Sequence, residues 1–275
     1  MYDRIFGGAV GETLDAKGVY SALDIKIMVA AHKPYWMPED SVYLPVQVGA
    51  AGKESIDPAW QRDDEGENIS ALNPYYCELT ALYWAWKNLQ ADYVGLCHYR
   101  RYFGHRVFRG SLEKKHKAIF SRADYERVLE KADVIVPKKR NYYMETVYSQ
   151  YAHAHRASDL EDIKGIIAQR CPEYLPIWDK VMGRRRVHIL NMFVMRTENF
   201  HAYCEWLFPV INEFASHFDL ADPYARRLFG FSAERLFNVW LEKQQLRVVD
   251  VPIVMFEPVN WLKKGGAFLK RKFGV

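Results

Sequence analysis

The residues best placed to do chemistry lie in the stretch YVGLCHYRRYF, residues 93–103, where a run that reads as a buried strand ends in His98, Arg100 and Arg101. Guanidinium forks match phosphate oxygens in bidentate geometry, so two arginines and a histidine at one strand end can neutralise a diphosphate. If that diphosphate leaves during a reaction, the same cations stabilise the charge that develops as its bond breaks. The plainer alternative is an arginine pair on a solvated sheet edge, and spacing alone leaves both readings open.

Four other stretches carry candidate groups. In ENISALNPYYCELTALYW, Asn68, Ser70 and Asn73 precede a helix start and Glu78 lies one turn inside. Helix starts attract anions, and amides or hydroxyls there can read ribose or base edges; ordinary capping by Asn73 is the alternative. In VYSQYAHAHRASDL, His153 and His155 are two apart and share no helical face, so no metal site is signalled. His155 and Asp159 are read as sugar contacts, Asp159 also as a complement to a helix dipole. Asn191 falls inside the apolar run HILNMFVM, where its amide must bond either backbone or ligand. GFSAERLFNVW sets Glu234 at the margin of an apolar stripe, as a candidate general base, with Asp159 and Glu78 as rivals for that role, or as an ion-pair partner of Arg235 or Lys243.

The elements that must hold these groups alternate. Strands are expected over 24–30, 44–48, 93–98, 133–137, 188–195 and 246–252. Between them, Asn73 and Pro74 open a helix with Tyr75, Leu79, Leu82, Trp86 and Leu89 at helical spacing; Ser121 caps another, and Ser158 with Glu161 forms a capping box for a third. A long helix carries Phe200, Tyr203, Leu207 and Ile211, and a further helical stretch over 223–243 is expected to be interrupted at Gly230. Such alternation predicts an α/β layer fold with a mostly parallel central sheet, whose ligands bind beyond the carboxyl ends of the strands. His32 and Lys33, in the loop after the first strand, become nucleotide contacts by that topology.

A chain of 275 residues, 49% hydrophobic, can bury one large core, and a net charge of +4 is too small to argue for a nucleic-acid protein. Cys77, Cys97, Cys171 and Cys204 are scattered, which signals neither a zinc ribbon nor a disulfide framework and fits a reducing cytoplasm. No signal peptide and no membrane-spanning apolar run is visible. Residues 1–23 read as an N-terminal extension, 24–258 as the folded domain, and 259–275 as a tail. That tail interleaves Lys263, Lys264, Lys270, Arg271 and Lys272 with Trp261, Phe268, Leu269 and Phe273, so it could lie peripherally on an anionic membrane surface or stand as a solvated end.

The blocks VAAHKPYW, NISALNPYYCELTALYWAWKN, VGLCHYRRYF, HILNMFVM and GFSAERLFNVWL, in that order, resemble the capsular and exopolysaccharide glycosyltransferase family catalogued as domain of unknown function 4422. The resemblance implies a GT-A-like, Rossmann-related fold and transfer of a sugar, galactofuranose in characterised relatives, from a UDP-linked donor to a glycan or lipid-linked glycan acceptor with inversion. GT-A strands in this position usually end in D-x-D, whose carboxylates hold a divalent metal on the diphosphate. No D-x-D occurs here. Fixed cations at His98, Arg100 and Arg101 are therefore expected to replace the ion, with no cofactor required; the acidic run Asp63, Asp64, Glu65 and Glu67 is the alternative metal site, or simply a surface loop. A non-catalytic nucleotide-sugar or glycan-binding module is the rival reading.

Overall fold

The computed structural model describes residues 12–14, 20–107 and 110–257; the tail over 259–275, and with it the membrane expectation attached to it, lies outside the described residues, as does most of the 1–23 extension. The central strands are β1 (Ile25–Ala31), β2 (Tyr43–Gln47), β3 (Gln61–Arg62), β4 (Tyr93–His98), β5 (Arg101–Phe103), β6 (Val134–Pro137), β7 (Phe193–Arg196), β8 (Val248–Val251) and β9 (Ile253–Met255). They form one sheet in the order β8-β6-β7-β4-β1-β2-β3, with β5 on β4 and β9 on β5. Along the main path only β7 runs against its neighbours; β8–β6, β4–β1, β1–β2 and β2–β3 are all parallel. The mostly parallel α/β sheet expected from the alternation is therefore the observed one.

Covered parallel strands read as nearly unbroken apolar runs, and IKIMVAA and YVGLC do so because both faces are buried. Side chains alternate between faces. Met28, Ala30, Val94 and Leu96 join the core under α2 (Leu79–Asn88), α5 (Val147–Ala154), α6 (Ala157–Arg170), α7 (Leu175–Met182), α8 (Thr197–Ser216) and α9 (Leu228–Gln244); Ile25, Ile27, Val29 and Cys97 join the opposite layer with Tyr43, Tyr102 and Tyr125, the last on α4 (Arg122–Leu129), which follows α3 (Leu112–Lys117). Gly95 sits where β4 is crowded from both sides, since a Cβ there would lie 2.7 Å from Ile27 Cδ1 and 2.9 Å from Val194 Cγ2.

Four expectations change. The helix opened by Asn73 is two, α1 (Asn73–Tyr76) and α2, broken at Cys77, whose φ is 54°. Asn73 is the first residue of α1 rather than its cap, and its amide donates to the Cys77 carbonyl and the Thr80 hydroxyl. Ser158 lies inside α6, which begins at Ala157 without a side-chain cap. The apolar run before Phe193 is not strand: within the irregular stretch His188–Met192, Leu190 and Asn191 form a turn, at φ 86° and φ 50°. Finally, α9 passes through Gly230 unbroken, because the interruption falls earlier, at Arg227 in the left-handed region.

Candidate active site

The cation-rich stretch is a hairpin. His98 pairs with Arg101 in the antiparallel β4–β5 ladder, leaving Tyr99 and Arg100 as the two-residue reversal. Directly paired residues project from the same face. His98 and Arg101 therefore stand side by side on the face that also carries Val94 and Leu96, beneath α9 and the α1–α2 break. Tyr99 is buried, and its ring gathers the loop after β1: His32 packs on its edge at 5.3 Å, Lys33 Nζ lies 5.7 Å from its centroid and the Arg100 guanidinium 4.8 Å.

Above this hairpin opens a cleft of about 610 Å³ at the carboxyl edge of the sheet. Its basic side chains are His32, His98, Arg100, Arg101, Arg226 and Arg227; its carboxylates are Glu78 and Glu234. Arg100 is engaged in an ion pair with Glu257. Arg101 is half-buried and, among the described residues, has no hydrogen bond or ion pair of its own. Burial, and then the neighbouring Arg100 charge, lower its pKa, so this guanidinium gains from an incoming anion. Burial and the charges of Lys33 and Arg100 likewise lower the pKa of His32, which favours its neutral form until an anion arrives.

The turn before β7 ties the carboxylates to the cations. The Leu190 N–H donates to Glu234 Oε1 at 2.9 Å, and the Leu190 carbonyl accepts from His98 Nε2 at 2.6 Å. Asn191 donates its amide to Glu78 Oε1 at 2.7 Å and to the Gly230 carbonyl at 3.0 Å, while its Oδ1 is buried without a partner among the described residues. Two consecutive non-glycine residues at positive φ cost about 1–3 kcal/mol each, and such a conformation persists where its surroundings over-determine it. Here the surroundings are three of the sequence-predicted residues, His98, Glu78 and Glu234. His98 thus spends one nitrogen holding the turn, leaving Nδ1 for any ligand.

Glu234 sits nearly two turns into α9 with 17% of its side chain exposed, its second oxygen accepting from Arg235 at 3.0 Å. Burial pushes its pKa above the usual glutamate range, against the opposing pull of Arg235. The ion pair foreseen as the plain alternative therefore exists on a carboxylate that also lines the cleft. Asn238, one turn on, clamps the backbone of His188 instead.

A family model described as Domain of unknown function (DUF4422) matches residues 26–245. The chain belongs to this family. No curated protein sequence matches it. Among solved structures, the apo structure of the WbbM bifunctional glycosyltransferase is similar at 29% identity, with a TM-score of 0.77, over 86% of this chain and 46% of that one. This chain thus spans under half the length of the structure it matches.

Not every predicted residue of the DUF4422 domain reaches the cleft. Asn73 lines it; Lys33 flanks it on Tyr99. Asn68 is spent on its own loop, donating to the Asp64 and Gly66 carbonyls. Asp159 is buried and accepts from the hydroxyls of Tyr224 at 2.5 Å and Tyr151 at 3.1 Å. His155 stacks between Tyr151 and Phe231, one residue removed from the cavity. The acidic run is spent internally. Asp63, fully buried, accepts from the N–H groups of Gly49 and Ala50 and the hydroxyls of Ser70 and Thr80; Asp64 pairs with Arg62, Glu65 with Gln61, and Glu67 with Tyr83. Among the described residues no three His, Cys, Asp or Glu side chains converge as metal ligands.

Sequence reasoning missed Cys77, Arg226 and Arg227. Burial, then Glu78, pushes the Cys77 thiol up to about 12, so it lines the cleft as an apolar group. Arg227 reaches the cleft because its backbone N–H donates to the Pro74 carbonyl, which pins the start of α9 to α1. The doublet Arg226-Arg227 before an apolar helix was the available signal.

Proposed function

We propose that this chain is a glycosyltransferase that moves a sugar from a UDP-linked donor to a growing capsular, exopolysaccharide or O-antigen glycan, by inverting displacement and without a divalent metal. The observation that carries the reading is the Arg101 guanidinium, without an ion-pair partner among the described residues, beside His98 on the floor of a cleft that also holds Glu78 and Glu234. Membership of the family and the likeness to a glycosyltransferase support sugar transfer; UDP and galactofuranose rest on the family resemblance.

In this mechanism Arg101, with Arg227 and the loop of His32, receives the donor diphosphate. An acceptor hydroxyl attacks the anomeric carbon from the opposite side; the new C–O bond forms as the bond to the phosphate oxygen breaks. The hydroxyl proton passes to Glu234, and the electron pair leaves with UDP, whose extra charge falls among the guanidinium groups. A general base is most effective when its pKa lies near the working pH, and burial moves Glu234 in that direction. The donor set at the β4 end does not fit a divalent cation: it is cationic where D-x-D would be anionic, and Glu78 is held by Asn191 and Glu234 by Leu190 and Arg235.

The test is a panel of UDP-sugars that includes UDP-galactofuranose, offered with a galactosyl acceptor before and after exhaustive chelation. Transfer that survives chelation is expected. UDP binding with neither donor hydrolysis nor transfer would make the protein a binding module, and activity restored only by added Mn²⁺ would refute the cationic replacement.

A further inference from the structure

The carboxyl edge of the sheet carries a second group of cations that the cleft does not use. Lys138, Lys139 and Arg140 follow the end of β6, and Arg185 and Arg186 return beside them because Arg140–Asn141 pairs antiparallel with Arg186–Val187. Arg184 of the same run is spent on Glu242, which it binds through both η nitrogens at 2.9 and 2.7 Å. The other five are exposed and, among the described residues, have no ion-pair partner. Arg140 instead lies over the Tyr142 ring at 5.6 Å. An open recess of about 740 Å³ is lined by Lys139, Arg185 and Arg186 together with two carboxylates, Glu242, which is held by Arg184, and Asp250, which faces His188 at 3.8 Å, so the cations outnumber the carboxylates there. Five unpaired like charges drawn from two chain segments repel one another, and an anionic surface relieves that repulsion.

A second, independent feature adjoins them. Tyr143 and Met144, on the loop that follows Arg140, are 76% and 74% exposed. Their placement is fixed by the backbone: Tyr143 has φ 58° and its N–H donates to Asn141 Oδ1 at 2.8 Å. Cations alone suit any polyanion. Cations beside a protruding tyrosine and methionine suit a bilayer interface, where phosphates meet the charges and the acyl boundary takes the apolar pair.

The location agrees. Through the pairings Phe193↔Leu96 and Val194↔Ile135, Lys138 lies level with His98 along the strands, two strand spacings or roughly 10 Å across the sheet. A bilayer on this edge would therefore lie beside the rim of the cleft. We propose that residues 138–144 and 185–186 form a docking surface for an anionic phospholipid bilayer, separate from the 259–275 tail and independent of what the cleft transfers.

The full-length chain is sedimented with vesicles of phosphatidylglycerol in phosphatidylcholine and with phosphatidylcholine alone. A basic residue at an anionic surface strengthens partition roughly fivefold, so K138Q/K139Q/R185Q/R186Q is expected to weaken binding to the anionic vesicles by ~10²-fold or more. Y143S/M144S, which leaves the charge intact, should weaken it by ~10-fold. Unchanged circular dichroism and thermal midpoints show that both variants fold. Equal binding by the four-cation variant and the parent would assign binding elsewhere, to the tail among other places, and would overturn the proposal. So would equal binding to neutral vesicles, or a Y143S/M144S variant that binds like the parent and is displaced by single-stranded DNA.

Discussion

Arg101 and Arg100, adjacent in sequence, have different fates. Arg100 is balanced by Glu257, whereas Arg101 faces the cleft without an ion-pair partner among the described residues, so the two should contribute unequally to nucleotide binding. Arg101→Ala is expected to weaken UDP binding by ~10- to 100-fold, the range for losing a charge-assisted contact, and Arg100→Ala by less than about fivefold. Calorimetric titration with UDP checks this; a double variant that binds like the parent would remove the pair from the donor site. Glu234 separates chemistry from binding. Glu234→Gln keeps an acceptor for the Leu190 N–H, so the turn should survive while turnover falls by ~10²-fold at an unchanged donor KM. Because a base works deprotonated and burial raises this pKa, turnover of the parent should fall as pH drops through a value above the ordinary glutamate 4.5, and that limb should vanish in the variant. A full-rate E234Q enzyme would transfer the role to Glu78.

Elements bring these residues together through close approaches. The α1–α2 break at Cys77 accepts α9 because residue 230 has no side chain: a Cβ there would stand 3.1 Å from Cys77 Cβ and 3.2 Å from its sulfur. Gly230→Ala should therefore destabilise by about 1 kcal/mol, overpacking outweighing the gain in helix propensity. It should also lower transfer, since Arg227 and Glu234 ride on α9. Denaturant unfolding gives the first quantity, and a more stable G230A protein would show that the helices are not in contact there. The strained Leu190–Asn191 turn is the other such junction. Its backbone was legible neither from periodicity nor from composition, because HILNMFVM carries a strand-like apolar pattern throughout. What excludes strand is the pull of His98, Glu78 and Glu234 from elements 92 to 113 residues away for two of them and 44 for the third.

At the scale of the whole molecule, two carboxylates bias stability in opposite directions with pH. Arg184, then Lys180, hold Glu242 down to about 2, with 25% of its side chain exposed. A depressed folded pKa stabilises above the unfolded value near 4.5 and loses that contribution as pH falls toward about 2. Glu234, raised by burial, acts in the other sense: it favours the fold at low pH and gives up that contribution as pH climbs through its raised pKa. Glu242→Gln should thus flatten the acid side of the stability profile, measured as unfolding free energy from neutral pH to about pH 2. An unaltered acid limb would show that other carboxylates govern it. Among the described residues no helix is long and apolar enough to cross a membrane.

The amino-acid sequence alone determined the α/β class, the mostly parallel sheet and the cation cluster at the end of β4, because runs of buried strand and amphipathic helix are written locally and the hairpin spacing from His98 to Arg101 is short. It also named Glu78, Asn191 and Glu234. Only the tertiary structure decided that the Leu190–Asn191 turn gathers these three, that Asp159 is buried against Tyr224 and that Arg227 joins the cleft, because each of those outcomes depends on contacts between segments distant in the chain, whose geometry no local pattern encodes.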